Sequence, residues 1–149
     1  MNVNEMLKAT GHLTVQRINS VGEVVETLDI PNLVVAVGKN FIASRMVGTS
    51  LGAMSHMAIG SDQTAAASAN TALGVELGRV TLTGGGGTAS SNSITYVATF
   101  PAGTGTGDVK EAGIFNAASG GTMLCRTTFP IVTKQSGDSI AITLIVTVN

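Results

Sequence analysis

The stretch Ser139–Val148 alternates so strictly that it leaves room for only one kind of local structure. Ile140, Ile142, Leu144, Val146 and Val148 fall in one phase, and Ala141, Thr143, Ile145 and Thr147 fall in the other. Side chains of a strand point alternately to opposite faces, so this period of two predicts a β-strand with one buried side. Ser93–Phe100 repeats the arrangement, with Ile94, Tyr96, Ala98 and Phe100 opposed to Ser93, Thr95, Val97 and Thr99. Two such segments, each bounded by Gly-rich connections, commit the chain to an antiparallel β architecture rather than a helical one.

The rest of the chain reads in the same way. His12–Asn19 and Glu23–Ile30 are strand-like and joined by Ser20-Val21-Gly22, a hairpin connection. In the second segment Val24, Leu28 and Ile30 take the inward phase. Glu26 shares that phase and needs a rim position or a cation such as Arg17. Pro31-Asn32 punctuates the chain, and Leu33–Val37 is apolar. Gly38–Val47 has helical spacing, with Ile42 and Met46 four apart and Lys39, Asn40, Ser44 and Arg45 on the other side. Met54–Ile59, Arg79–Thr83, Val109–Phe115 and Met123–Phe129 are further strands. Ser61–Asn70 is a surface loop, Leu73–Leu77 a turn or short helix, and Gly84–Gly87 a flexible connection. The fold class expected is all-β: an antiparallel β-sandwich or jelly roll of eight or nine strands, with one short helix. Residues 1–11 form an N-terminal arm and residues 12–149 the domain.

At 149 residues the chain is long enough to bury a core without metal or disulfide. Only 11% of its residues are charged, where about 25% is ordinary. A surface so poor in charge is weakly protected against association, so much of it is expected to be covered by copies of itself or by a partner. The net charge is −1, with eight Lys and Arg scattered singly, which argues against nucleic acid as a partner. No segment approaches the roughly 20 apolar residues of a membrane span, and no secretory leader is recognisable, so no membrane is expected and assembly is expected in a cytoplasm.

Chemistry is hard to find. His12 and His56 stand apart from any Asp, Glu or Cys motif, and the lone Cys125 lies within a strand-like run, where a small buried role suits it. One Cys and two distant His do not make a zinc site. Asp62, Asp108 and Asp138 are single carboxylates in Gly-rich turns, without the oxygen-rich repeat of a calcium loop. Gly38-Lys39 lacks the glycine five residues earlier and the following Ser or Thr of a phosphate loop, because Leu33 and Asn40 stand there. Gly103–Gly107 lacks the spacing of a dinucleotide fingerprint. With no Trp and one Tyr, little is left for a sugar-stacking platform. The expectation is a protein that is not an enzyme and takes no cofactor and no metal. Glu76, Arg79, Glu111 and Arg126 stand out instead as structural pairing residues: a carboxylate among them is placed to accept backbone N–H groups or to pair with Arg79 or Arg126 and pin a loop.

Several segments carry a resemblance: Asn32-Leu33-Val34-Val35, Gly38–Ala43, Ala58-Ile59-Gly60, Leu73–Arg79, Ile94–Phe100 and Lys110–Phe115. In this order they resemble a β-domain of tailed-bacteriophage virion proteins, in particular the capsid cement or decoration proteins. The resemblance spans about residues 13–148 and extends to tail-fibre or baseplate-associated adhesion domains, which stay open as an alternative. It implies a virion protein on the capsid surface, assembled in the bacterial host, that binds the outer face of the major capsid protein shell and stabilises it. It also implies contact with copies of itself as a dimer or trimer. Met1, Asn2, Val3, Asn4, Met6 and Leu7 of the arm are the candidates for contact with a neighbour, the alternative being an unstructured chain end.

Overall fold

The computed structural model describes residues 7–48 and 51–149. Among the described residues there are nine strands: β1 (Ala9–Ile18), β2 (Val24–Val34), β3 (His56–Gly60), β4 (Glu76–Thr81), β5 (Thr88–Ser90), β6 (Ser93–Phe100), β7 (Gly107–Phe115), β8 (Met123–Lys134) and β9 (Ser139–Val148). One helix, α1 (Ala36–Ser44), runs into a single 3-10 turn at Arg45–Val47. All strand pairs are antiparallel, in the order β4-β3-β7-β8-β2-β1-β9-β6-β5. The all-β antiparallel class with one short helix is therefore what the chain adopts.

The two strongly alternating segments became β6 and β9 with the boundaries their periodicity gives, and they pair with each other from Ser93↔Thr147 to Phe100↔Ile140. Ile140, Ile142, Leu144 and Val146 are buried. The sheet holds together in its middle through only two residue pairs, Leu33↔Arg126 and Val34↔Cys125, where the end of β2 crosses from β1 to β8. The sheet curls about this seam. Leu13, Phe100 and Leu144 on one side then share a single core with Met57, Ile114 and Val132 on the other. At roughly 1.5–3 kcal/mol for each fully buried large apolar side chain, this shared core is the main favourable term in folding.

Several boundaries differ from expectation, among them the longer β8, which runs on to Lys134, and the earlier start of β4 at Glu76. β1 begins at Ala9, not His12, because β9 runs long enough to pair Ala9 with Val148; the arm gives its last three residues to the sheet. Pro31-Asn32 does not end β2, since Pro31 still pairs with His12 and its carbonyl accepts from Thr127 Oγ1 at 3.0 Å. A proline is tolerated where a ladder hands over from one neighbour to another, because its missing N–H is not required there. Leu73–Leu77 forms no helix; it is irregular until β4 starts at Glu76. The helix itself buries Gly38 and Phe41, and Met46 is 86% exposed instead of lying on the packed face. Glu26 does take the inward phase and finds Arg17, Nε to Oε2 at 3.2 Å.

β7 is buried on both faces from Glu111 to Phe115. Ala112 and Ile114 point into the main core, whereas Phe115 belongs to a second cluster with Val35, Ala58, Leu73 and Met123. That second cluster includes Leu73 of the irregular segment 61–75 and has Val37 at the start of α1 packed against it, whereas Phe41 and Ile42 of α1 belong to the main core. Helix and strand meet closely: a Cβ on Gly38 would collide with the backbone carbonyl of Leu124.

Candidate functional site

Under the segment 61–75 sits a buried charge pair. Glu111 is fully buried and Arg126 is 2% exposed. They come together because Arg126 pairs in register with Gly113, two residues along β7 from Glu111 and on the same face of the strand. Arg126 Nε donates to Glu111 Oε2 at 2.9 Å, and Arg126 Nη1 donates to Asn70 Oδ1 at 3.0 Å. The carboxylate accepts three backbone N–H groups from the covering segment: Gly74 at 3.0 Å, Val75 at 2.9 Å and Asp62 at 3.3 Å. A buried carboxylate costs several kcal/mol in desolvation unless it is paired and hydrogen-bonded. Here both oxygens are occupied, and the ligands of the charge are the loop itself. Gly60 makes the room, since a Cβ there would strike both Glu111 and the Val75 carbonyl.

The second pair lies on the edge strand β4. Glu76 and Arg79 are three apart in β4, an interval that puts side chains on opposite faces of a regular strand. A register shift between Ile59↔Gly78 and Gly60↔Glu76 leaves Leu77 as an extra residue and returns the two to one side. Arg79 then holds Glu76 through two bonds, Nη2 to Oε1 at 2.7 Å and Nε to Oε2 at 3.2 Å. Its Nη1 donates to the carbonyls of Ala117 and Gly120, both at 2.9 Å. The guanidinium lies over the Phe115 ring, 3.8 Å from its centre. Each arginine thus fixes one connection of the sheet, the first segment 61–75 and the second residues 116–121.

A third polar cluster was not legible in the sequence. Lys134 is 1% exposed and donates from Nζ to the carbonyls of Asp138 at 2.6 Å and Pro101 at 2.9 Å. Burial draws its pKa down, and Asp138 pulls it partly back. Asp138 Oδ2 also accepts from Arg17 at 3.3 Å and from the Gln135 N–H at 3.0 Å. The β8–β9 turn is thereby tied to the β1–β2 hairpin. The signal available in sequence was only a Lys at the end of a strand and an Asp four residues on, which is ordinary turn chemistry.

The groups from which catalysis might have been built are dispersed. Cys125 is wholly buried in the core, and burial pushes its thiol up to about 12. His12 Nε2 meets Asp29 Oδ1 at 2.5 Å on an exposed face, with Thr14 Oγ1 donating to the same oxygen at 2.8 Å. His56 Nδ1 lies 2.8 Å from Ser55 Oγ. These three groups belong to separate elements, and no nucleophile faces either imidazole with a carboxylate behind it. Among the described residues no three His, Cys, Asp or Glu side chains converge in a way that would hold a metal ion. Among them, too, no helix is long and apolar enough to cross a membrane.

Of the arm candidates, Met1, Asn2, Val3, Asn4 and Met6 lie outside the described residues. Leu7 is 78% exposed. It forms part of the wall of a groove of about 480 Å³ between the start of β1 and the outer side of α1, floored by Ile42, Ala43, Met46 and Val148. Another concavity, of about 260 Å³, lies at the β2–β8 seam beside Arg126. Comparison with protein-family models, with curated proteins and with solved structures returns no match.

Proposed function

We propose that this chain is a structural protein of a phage particle, a capsid cement or decoration protein that binds the outer face of the major capsid shell and stiffens it. The observation that carries the reading is the character of the surface: few charges, and large apolar side chains left uncovered. Val21, Val24 and Val25 around the β1–β2 turn are 75%, 53% and 44% exposed, and Val47 beside the groove is 84% exposed. Apolar residues gathered in this way mark contact with other proteins more often than they mark catalysis. The resemblance of the quoted segments to virion β-domains supplies the kind of partner.

The internal construction supports the same role. The connections 61–75 and 116–121 are tied down by bonds to Glu111, Arg126 and Arg79, so these parts of the surface are held in place, and little ordering entropy is lost when the molecule docks. Repetition over a shell then multiplies weak contacts. The experiment is to add the purified chain to capsids that lack it. Saturable binding, with a higher temperature of capsid disruption, is the expected result. Absence of binding, together with attachment to cells or glycans, would favour a tail-fibre or baseplate adhesion domain instead.

A further inference from the structure

We infer that the segment 61–75 is a lid in two parts, a clamped neck and a tip that lifts off the sheet while the neck stays closed. The segment is an Ω-loop, its two ends joined where the Ser61 N–H donates to the Val75 carbonyl at 2.9 Å. The neck, residues 61–62 and 73–75, is held from inside. Glu111 accepts the N–H groups of Asp62, Gly74 and Val75. Leu73 is buried in the second cluster and lies against Gly113, where an added Cβ would come within 3.0 Å of its Cδ2.

The tip, residues 63–72, has no such anchor. None of its residues is buried, so lifting it gives up little apolar burial. Among the described residues three bonds dock it on the strands and the helix. The Ala36 N–H donates to the Ser68 carbonyl at 2.8 Å, Arg126 Nη1 to Asn70 Oδ1 at 3.0 Å, and Gln63 Nε2 to the Phe129 carbonyl at 3.5 Å. Bonds inside the tip survive lifting: the Ala67 N–H donates to Asn70 Oδ1 at 2.8 Å, and the Asn70 N–H to the Ala67 carbonyl at 3.0 Å. The tip therefore moves as a body and does not unravel. Water replaces the docking bonds once the tip rises, whereas the fully buried Glu111 would lose three donors if the neck opened. The neck is thus the hinge and the tip the moving part. The docked form is the ground state, and lifting is an excursion from it. Ala66 of the tip is one wall of the recess at the β2–β8 seam, and Arg126 is another. With the tip raised the recess loses the first wall and Arg126 loses Asn70, so the lid gates access to a buried guanidinium. The device belongs to the isolated chain and does not depend on binding to a shell.

The test is native-state amide exchange of the full chain, read residue by residue by NMR and corrected for intrinsic rates. The Ala36 N–H, whose acceptor is the tip, reports lifting, and the N–H groups of Ser61, Gly74 and Val75 report the neck. In the wild type Ala36 is expected to exchange faster than the three neck amides by about tenfold or more, and β6 and β9 to be the slowest. Asn70→Ala removes the acceptor of Arg126 Nη1 and should speed Ala36 by about tenfold or more, the scale of a bond to a charged group, with neck protection unchanged. Leu73→Ala, by contrast, should speed Gly74 and Val75. Equal protection at Ala36 and the neck, or neck amides that accelerate together with Ala36 in Asn70→Ala, would overturn the inference by showing that the segment opens whole. Ala36 exchange as slow as that of β6 and β9, or Ala36 exchange indifferent to Asn70→Ala, would overturn it by showing that the tip does not lift on this latch. The wild-type rates decide the matter even if a variant fails to fold.

Discussion

Replacing Glu111 with alanine removes the fully buried carboxylate beside Arg126 and leaves it only the partly exposed Asp62, at 3.5 Å, as a carboxylate partner. Arg126, 2% exposed, would keep its bond to Asn70 but lose the partner at 2.9 Å. The N–H groups of Gly74, Val75 and Asp62 would lose their common acceptor in the same step. Breaking a buried pair from one side costs about 3–5 kcal/mol. That figure already includes part of the hydrogen-bond loss, because the segment 61–75 lies on the surface and can take up water once released. For a chain of this size about 4 kcal/mol corresponds to a melting temperature lower by about 10 °C. Urea unfolding gives the stability, and amide exchange gives its location: Gly74 and Val75 should exchange far faster in Glu111→Ala, whereas β6 and β9 should follow global unfolding. Arg126→Met should cost less, since three backbone donors still satisfy the carboxylate, and the two changes should couple by more than about 1 kcal/mol in a double-mutant cycle. A loss below about 1 kcal/mol in Glu111→Ala, or unchanged exchange at Gly74 and Val75, would refute the claim that this pair holds the covering segment.

Three further outcomes follow from the geometry. With its thiol pushed up to about 12, Cys125 holds only about one part in ten thousand as thiolate at pH 8, so a thiol reagent should fail to label the native protein and label it fully once denatured; rapid native labelling would contradict its burial. Thr14 and then His12 hold the Asp29 carboxyl below its ordinary 3.8. A depressed folded-state value means the contribution is complete above 3.8 and lost as pH falls through the lower folded value, so Asp29→Asn should lower the melting temperature slightly at neutral pH, leave it unchanged at the lowest pH, and so flatten the acid limb of the profile. Gly38→Ala should destabilise by about 2 kcal/mol or more, because the new Cβ meets a strand carbonyl rather than a side chain that can move; a neutral or stabilising result in thermal melts would show that α1 is not seated on β8 as described.

How much of this was readable from residues depends on where each signal came from. β6 and β9 declare themselves because one face is core and the other is not, so burial is written directly as alternation. β7 could not be read that way beyond its existence. It is covered on both faces, which erases the alternation, and the second cover comes from a tertiary contact with the segment 61–75, whose backbone binds Glu111. The same segment explains the misreading of Leu73–Leu77: its apolar residues suggested a helical turn, but Leu73 is anchored in the second cluster and Gly74 and Val75 are held by Glu111. In the helix Ile42 does pack against the core, but Met46 falls in the 3-10 turn after α1 and is exposed, and Phe41 and the Cβ-free Gly38 make the closer fit. Glu76, Arg79, Glu111 and Arg126 stood out as charges amid small and apolar residues in a chain otherwise short of charge. Which carboxylate met which arginine depended on strand register and on the bulge at Leu77, neither of which is local information. Lys134 and Asp138 gave no such contrast.

Locating the molecule on intact particles tests the proposed adhesion to a protein shell most directly. Cryo-electron microscopy of particles carrying a labelled copy of the chain, compared with particles lacking it, should show label density at repeated positions on the outer capsid surface that vanishes in the second sample. Density confined to the tail, or identical capsids in both samples, would contradict it.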